Sequence, residues 1–365
     1  MNKYKVCVYG ICKNEEKFVK RWYESMKEAD AIFVLDTGST DNTVKLLKEF
    51  GVNVRTSKIE PWRFDVARNK SLDLIPDDYD ICVCTDLDEV FGKGWRKYLE
   101  DSWVGSTSRA RYNYNWSLDD NNRPLVNFYT DKIHQRKNYK WTHPVHEVLT
   151  FLGDKENIIT IDNIVLNHYS DKSKSRGSYL PLLELSVKED PNDDRNMHYL
   201  GREYMYYGKW NECIDTLIKH LNLKSSTWKD ERCASMRFIA RSYKNLGRVE
   251  ESRMWYDKAI NEAPYLRDSY VERGILEYEL DNYKEASKYL NDALNINSHE
   301  KTYINEIFSW DNTIYDMLSI CMFYLNRIDE SLFYIDKAID MEPNNERLIN
   351  NKKIIKRYKE NNNSI

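Results

Sequence analysis

The stretch TDLDEV, residues 85–90, sets three carboxylates within four residues, Asp86, Asp88 and Glu89, directly after the apolar run YDICVC. An unpaired carboxylate is costly to bury, so charge at the end of a buried strand belongs in solvent or beside a cation. Side chains alternate along an extended backbone, which puts Asp86 and Asp88 on one side and turns Leu87 into the core. Two carboxylates so placed can hold a hard divalent cation through oxygen and leave the rest of its shell to waters and phosphate oxygens; an ordinary acidic loop is the alternative. A further acid, Asp36, ends the run AIFVLD, where it could accept from a base N–H or a ribose hydroxyl. Gly38 permits a tight turn after it, and Ser39 to Asp41 read as caps of the next helix. ICKNEE, residues 11–16, ends the first apolar run and could face the same crevice.

The elements that must position these acids alternate. KVCVYGI, AIFVLD, GVNVRT and YDICVCTD read as strands; EEKFVKRWYESMKE, DNTVKLLKEF and DVARNKSLDLI read as helices between them. Alternation of this kind, with β-branched apolar strands, predicts a mostly parallel sheet covered on both faces. Ligands of such sheets bind beyond the carboxyl ends of the strands, where Asp36 and Asp86 fall. From about 106 to 170 the segments SRARYNYNW, TDKIHQR, PVHEVLTF and IDNIVLNHY read as strands without long helices between them, which predicts a partly antiparallel addition.

KEDPNDDR, residues 188–195, is a polar break, and a boundary is placed there: residues 1–190 form one domain and 191–365 a second. Beyond it the chain reads as helix pairs with internal similarity. Four segments align so that Cys213, Ser252, Ala286 and Ser331 superpose, as do Ala259, Ala293 and Ala338. Ser252 and Ala286 lie 34 residues apart, as do Ala259 and Ala293. That period, with small residues at helix crossings and Pro264 and Pro343 at unit ends, resembles tetratricopeptide repeats. Repeat arrays bind extended chains on a concave face, and exposed edge helices suggest a homodimer; the polar final helix also reads as a solvating cap.

Composition excludes some classes. With 55 basic and 59 acidic residues and a net charge of −4, the chain has no attraction for a polyanion, so nucleic acid is not expected as a partner. No apolar run approaches the about 20 residues of a membrane span. MNKYKVCVYG does not read as a signal peptide, and a cytoplasmic location is the expectation. The seven cysteines are odd in number and lie in strand-like or helix-like apolar runs, so they read as reduced, buried small side chains. Aromatic residues are frequent, and Trp62, Tyr112, Tyr114, Trp116 and Trp141 are either core or flat platforms for a sugar ring.

Four motifs, VCVYGICKNEEKFVKRWYES, IFVLDTGSTDNTVKLLKEF, DVARNKSL and CTDLDEVF, together resemble the nucleotide-sugar domain of family 2 glycosyltransferases, over roughly residues 4–170. The resemblance implies the A-type fold (GT-A), an α/β nucleotide-sugar domain with a mostly parallel mixed sheet, followed here by an all-α tetratricopeptide-like repeat domain. This layout is similar to that of bacterial enzymes that glycosylate cysteine or serine in peptide bacteriocins. It implies a UDP-sugar donor and Mn²⁺ or Mg²⁺. Asn14 and Glu15 would line the nucleotide pocket with Asp36, and Arg68 and Asn69 would sit near the diphosphate or donor sugar. Asp86 would meet ribose or sugar and the metal, and Asp88 would bind the metal directly. The family often writes two acids before the glycine turn; Thr37 stands in place of the second.

The implied reaction moves a hexose with inversion to a peptide, protein or glycan acceptor. Attack opposite the leaving diphosphate needs a general base. WTHPVHEVL, residues 141–149, supplies the candidates: Glu147 first, because inverting members generally use a carboxylate, then His146 and His143, which otherwise hydrogen-bond within a turn around Pro144. His168, in LNHYS, would complete the metal shell, and Arg176 would clamp the diphosphate. Two other classes stay open. One is a peptide-binding adaptor with an inactive nucleotide domain, which the intact acids Asp86, Asp88 and Glu147 argue against. The other is a nucleotidyltransferase, which the acidic YGICKNEE, lacking a glycine-rich basic loop, argues against.

Overall fold

The computed structural model describes residues 3–171, 177, 179–299 and 302–362. Two compact units follow one another, the first running to Glu189 and the second beginning at Asp190.

In chain order the first unit contains β1 (Val6–Cys12), α1 (Glu16–Met26), β2 (Ala31–Asp36), α2 (Thr43–Glu49), β3 (Asn53–Thr56), α3 (Phe64–Leu72), β4 (Ile81–Cys84), β5 (Glu89–Phe91), α4 (Trp95–Ser102), β6 (Arg109–Leu118), β7 (Pro124–Gln135), β8 (Tyr139–Thr142), β9 (Val148–Phe151), β10 (Ile158–His168) and α5 (Tyr179–Glu189). Eight strands form one mixed sheet in the order β3-β2-β1-β4-β7-β6-β10-β5. β2 and β4 flank β1 in parallel and β3 extends β2 in parallel, whereas β7 runs antiparallel to β4 and to β6. β10 returns parallel to β6 and closes antiparallel on β5. β8 and β9 make a separate hairpin.

The central strands read as unbroken apolar runs because both their faces are covered. Val6 and Val8 of β1 pack with Trp22 and Met26 of α1, and the alternate residues Cys7 and Tyr9 pack with Leu72 and Trp141 on the opposite face. β1 and β4 approach closely at their carboxyl ends, where a Cβ on Gly10 would stand 2.5 Å from the Thr85 carbonyl oxygen. The addition after residue 105 is partly antiparallel, as the sequence predicts, with two differences. β7 begins at Pro124, six residues before the predicted TDKIHQR, because pairing along the long β6 draws the polar segment into the sheet. PVHEVLTF is a strand only from Val148; His143 and His146 adopt left-handed backbone, φ 75° and 51°, to turn the chain between β8 and β9. β5, α4, β8 and α5 have no counterpart in the sequence reading.

The second unit is helical: α6 (Asp194–Tyr206), α7 (Trp210–Asn222), α8 (Lys229–Asn245), α9 (Val249–Glu262), α10 (Arg267–Glu279), α11 (Tyr283–Leu294), α12 (Thr313–Tyr324), α13 (Ile328–Met341) and α14 (Glu346–Asn362). Helices pack in consecutive pairs, α6 with α7, α8 with α9, α10 with α11 and α12 with α13. The aligned small residues sit where the pairs cross: Cys213, Ser252, Ala286, Ser331, Ala259, Ala293 and Ala338 are all fully buried. Ser319 and Ser331 bond each other's backbone carbonyls across the last pair. Between pairs, Glu272 is buried against Arg237 (2.6 Å) and bidentate with Arg241 (2.7 Å to each oxygen). Burial works against its ionisation, but the two guanidinium groups outweigh that and hold its pKa at about 2. α14 buries Leu348 and Ile355 against Ile335 and Ala338 of α13, so its apolar residues cap the array while its many Asn and Lys face outward.

All seven cysteines are buried and unbridged. No helix among the described residues is long and apolar enough to cross a membrane.

Candidate active site

The carboxyl ends of β1, β2 and β4 carry the acidic motifs. Asp36, 1% exposed, accepts from the backbone N–H groups of Ser39 (3.0 Å) and Gly38 (3.3 Å) and so ties down its own turn. Thr37 donates to the Cys12 carbonyl and joins that turn to β1. Asn14, at φ 56°, accepts from the Thr40 N–H (2.7 Å), while its own N–H donates to Ser39 Oγ (2.9 Å). The Glu15 N–H donates to Thr43 Oγ1 (2.7 Å) and its side chain is buried. Asn14, Glu15 and Asp36 are thus gathered in one pair of interlocked loops. Asp41 accepts from the Thr43 and Glu16 N–H groups, the first residues of α2 and α1, while the cap position of α2 itself falls on Asn42.

Arg68 organises the centre. It projects from α3, is 3% exposed, and donates through Nη2 to Asp86 (2.6 Å) and through Nε to Glu147 (2.9 Å). One guanidinium therefore joins the acid after β4 to the acid before β9, residues far apart in sequence. Its third side points to Cys84 Sγ (3.6 Å), and its plane lies 5.7 Å from the Trp141 ring. Asn69, next on the helix, exchanges two bonds with the Trp141 backbone, 2.8 and 2.9 Å, and so fixes α3 to the β8–β9 hairpin. Lys132, from β7, stands 3.7 Å from Asp86 and 3.8 Å from Glu89. Burial works against ionisation of Asp86, but Arg68 and Lys132 outweigh it and hold the carboxyl well below the usual range. Glu89, 1% exposed, is pushed up by burial although it accepts from Tyr114 Oη (2.7 Å) and the Asp86 N–H (2.8 Å).

Asp88 points elsewhere. Its carboxylate lies 3.5 Å from His168 Nε2, at the end of β10. His168 Nδ1 lies 2.9 Å from the Trp116 carbonyl, so this nitrogen carries the proton and donates. Nε2 then turns a lone pair toward a carboxylate, an arrangement that needs a proton or a cation between the two. Burial disfavours the imidazolium, yet Asp88 outweighs it and raises the His168 pKa above its ordinary value. A backbone carbonyl orienting one imidazole nitrogen while the other faces a carboxylate is the usual surrounding of a metal-bound histidine. The oxygen and nitrogen donors of Asp88 and His168 therefore fit a divalent cation, and Asp86 is nearer to being a partner of Arg68 and Lys132. Trp116, half exposed, stacks on His168 at 4.8 Å and 23°.

His143, His146 and Glu147 lie together in the β8–β9 turn, where the Phe64 N–H bonds the Pro144 carbonyl. Of the three, Glu147 is joined to the acidic centre, through Arg68; its second oxygen makes no hydrogen bond among the described residues. The His146 ring packs edge-on against Tyr179 of α5. Arg176 lies outside the described residues. Of the aromatic candidates, Tyr112 and Trp141 are core, Tyr114 holds Glu89, Trp62 packs on Phe64, and Trp116 is the exposed ring beside the Asp88–His168 pair. The sequence reading missed Lys132. Its one signal is a lysine in the middle of a strand, TDKIH, whose next residues are buried.

Residues 7–152 match the family model described as glycosyl transferase family 2, and residues 238–265 and 268–300 match that of the tetratricopeptide repeat. The layout implied by the motifs is thus the layout found. Among solved structures, MamA is similar over 49% of this chain and 99% of its own, at 17% identity and a TM-score of 0.39. TTC0263, a tetratricopeptide protein of Thermus thermophilus, is similar over 48% of this chain and 88% of its own, at 19% identity and 0.34. YrrB, described as a tetratricopeptide protein with an unusual peptide-binding site, covers 49% of this chain and 84% of its own, at 17% identity and 0.39. No curated protein matches.

Proposed function

We propose that the first unit is an inverting glycosyltransferase that moves a hexose from a UDP-sugar to an acceptor on a peptide, protein or glycan, and that the repeats engage that acceptor's protein partner or carrier. The observation that carries the reading is Arg68, buried between Asp86 and Glu147, with the Asp88–His168 pair beside it. One constellation thereby contains a donor-side acid, a candidate base and a cation site.

Asp36, held by its own turn, is the group to meet the uracil or ribose, with Asn14 and Glu15 shaping the loops around it. Asp88 and His168 would hold Mn²⁺ or Mg²⁺, which when bound neutralises charge on the departing diphosphate. Glu147 takes the acceptor's proton. Arg68 grips one of its oxygens, which fixes the carboxylate while the other oxygen is left to accept. Lys132 and Arg68 between them compensate the negative charge of Asp86 and Glu89, so the acidic cluster persists before any cation or nucleotide enters. Trp116 offers a flat apolar face to a sugar. His146 and His143 are the alternative bases.

The test is UDP release from a panel of UDP-sugars with Mn²⁺, comparing the wild-type chain with Asp88→Asn and Glu147→Gln. Turnover that needs the cation and Asp88 supports the reading. No release from any donor favours the adaptor, a protein-binding array beside an inactive domain; full release by Asp88→Asn would overturn the cation role given to Asp88.

A further inference from the structure

The second unit holds a buried cluster that glycosyl transfer does not use. His198 of α6, His220 in the last turn of α7 and Glu231 in the first turn of α8 each present a ligand atom, and these atoms lie within 4.8 Å of one another. Among the described residues no other three His, Cys, Asp or Glu side chains meet so closely. His198 and His220 are fully buried and Glu231 is 5% exposed.

Ser235 of α8 links the imidazoles, with Oγ 2.7 Å from His198 Nδ1 and 3.0 Å from His220 Nδ1. His220 Nε2 lies 3.0 Å from Ser226 Oγ and 3.4 Å from Glu231 Oε1. One hydroxyl proton cannot serve both imidazoles, so at least one ring donates to Ser235, and both can do so because its oxygen has two lone pairs. In either arrangement His198 Nε2 stays buried without a hydrogen-bond partner among the described residues. A buried polar atom left unmatched is expensive and calls for an explanation. Two neutral imidazoles and one carboxylate are ordinary zinc ligands, and a hydroxyl bridging their outer nitrogens resembles the orienting groups behind such ligands. Two cations whose charge would oppose an ion here are Arg202 and Arg237, and Arg237 is itself paired with Glu272.

We infer that His198, His220 and Glu231 form a structural site for a divalent cation of the zinc class, clasping α6, α7 and α8 at the start of the repeats. The site joins three successive helices, so the ion would tie the first helix pair to the next. It stands apart from the transfer reading, since none of its residues belongs to the first unit.

The test uses the full chain, stripped with a chelator and titrated with zinc, and then separately with cobalt(II). Wild type and Asp88→Asn are expected to retain one tightly held equivalent of zinc that His198→Gln and His220→Gln lack. Zinc should raise the Tm of wild type and leave those of the two histidine variants unchanged. Equal zinc uptake by wild type and a folded His198→Gln would overturn the assignment. Should neither histidine variant fold, the cobalt-loaded wild type decides: tetrahedral d–d absorption supports the site, and its absence refutes it, leaving the five side chains as a hydrogen-bonded network.

Discussion

At the residue scale the site turns on one guanidinium. Arg68 is buried, planar and bidentate across two carboxylates, a task a single ammonium cannot reproduce. Arg68→Lys should keep the charge yet lose the geometry, lowering kcat by roughly 10- to 100-fold, since misplacing a catalytic group by about 1 Å costs on that order. Steady-state kinetics at saturating donor check this; an unchanged kcat would show that Glu147 needs no anchor. Glu147→Gln removes the proton acceptor and should lower turnover by about 10²- to 10⁴-fold. Donor binding, measured by titration calorimetry with UDP, should be retained. If the rate is unchanged, the base is His146 or His143.

At the element scale two close approaches are decisive. β1 and β4 lie so near at their carboxyl ends that Gly10 has no room for a Cβ against the Thr85 carbonyl. Backbone cannot swing aside as a side chain does, so Gly10→Ala should cost about 1–3 kcal/mol and displace the Asp86 end of the strand. Urea unfolding and UDP-release assays should therefore fall together; a stable variant that has lost activity, or the reverse, would separate the two effects. In the repeats, Glu272→Gln leaves Arg237 and Arg241 short of a buried countercharge. A loss of about 3–5 kcal/mol is expected, the usual cost of breaking a buried ion pair from one side. Chemical denaturation followed by circular dichroism measures it.

At the scale of the whole molecule, acid should act through buried groups in two successive windows. In the first unit His134 is fully buried, accepts from Tyr9 Oη through Nε2 (2.8 Å) and donates through Nδ1 to the Gln135 carbonyl (2.7 Å). Burial lowers its pKa to about 3. The unfolded chain, with an ordinary histidine near 6.5, binds the proton more readily. Stability is thus complete above pH 6.5 and falls by about 1.4 kcal/mol per pH unit from 6.5 down to about 3. His134→Gln should remove that slope in urea titrations between pH 7 and 5; a slope that persists assigns the acid sensitivity to other groups. The contribution of Glu272 follows the same sign at lower pH. Its folded value of about 2 lies below the ordinary 4.5, so its part is complete above 4.5 and is lost as pH falls toward 2.

Local pattern was enough for the strand–helix alternation, the helical repeats and the acids at the strand ends. Side-chain periods of 2 and 3.6 are properties of neighbouring residues, and charge after an apolar run is visible in a single line of text. Ser252 and Ala286, and Ala259 and Ala293, could be matched by spacing alone because each repeat meets its neighbour in the same way. What lay out of reach depends on strands distant in sequence. Lys132 faces Asp86 because β7 pairs with β4, and His168 faces Asp88 because β10 returns beside β5. Arg68, which also holds Asp86, reaches Glu147 across 79 residues, and no local period encodes which strands become neighbours. The same holds for His198, His220 and Glu231. Each alone reads as one more polar residue on a helix, and it is the packing of three helices that brings their donors together.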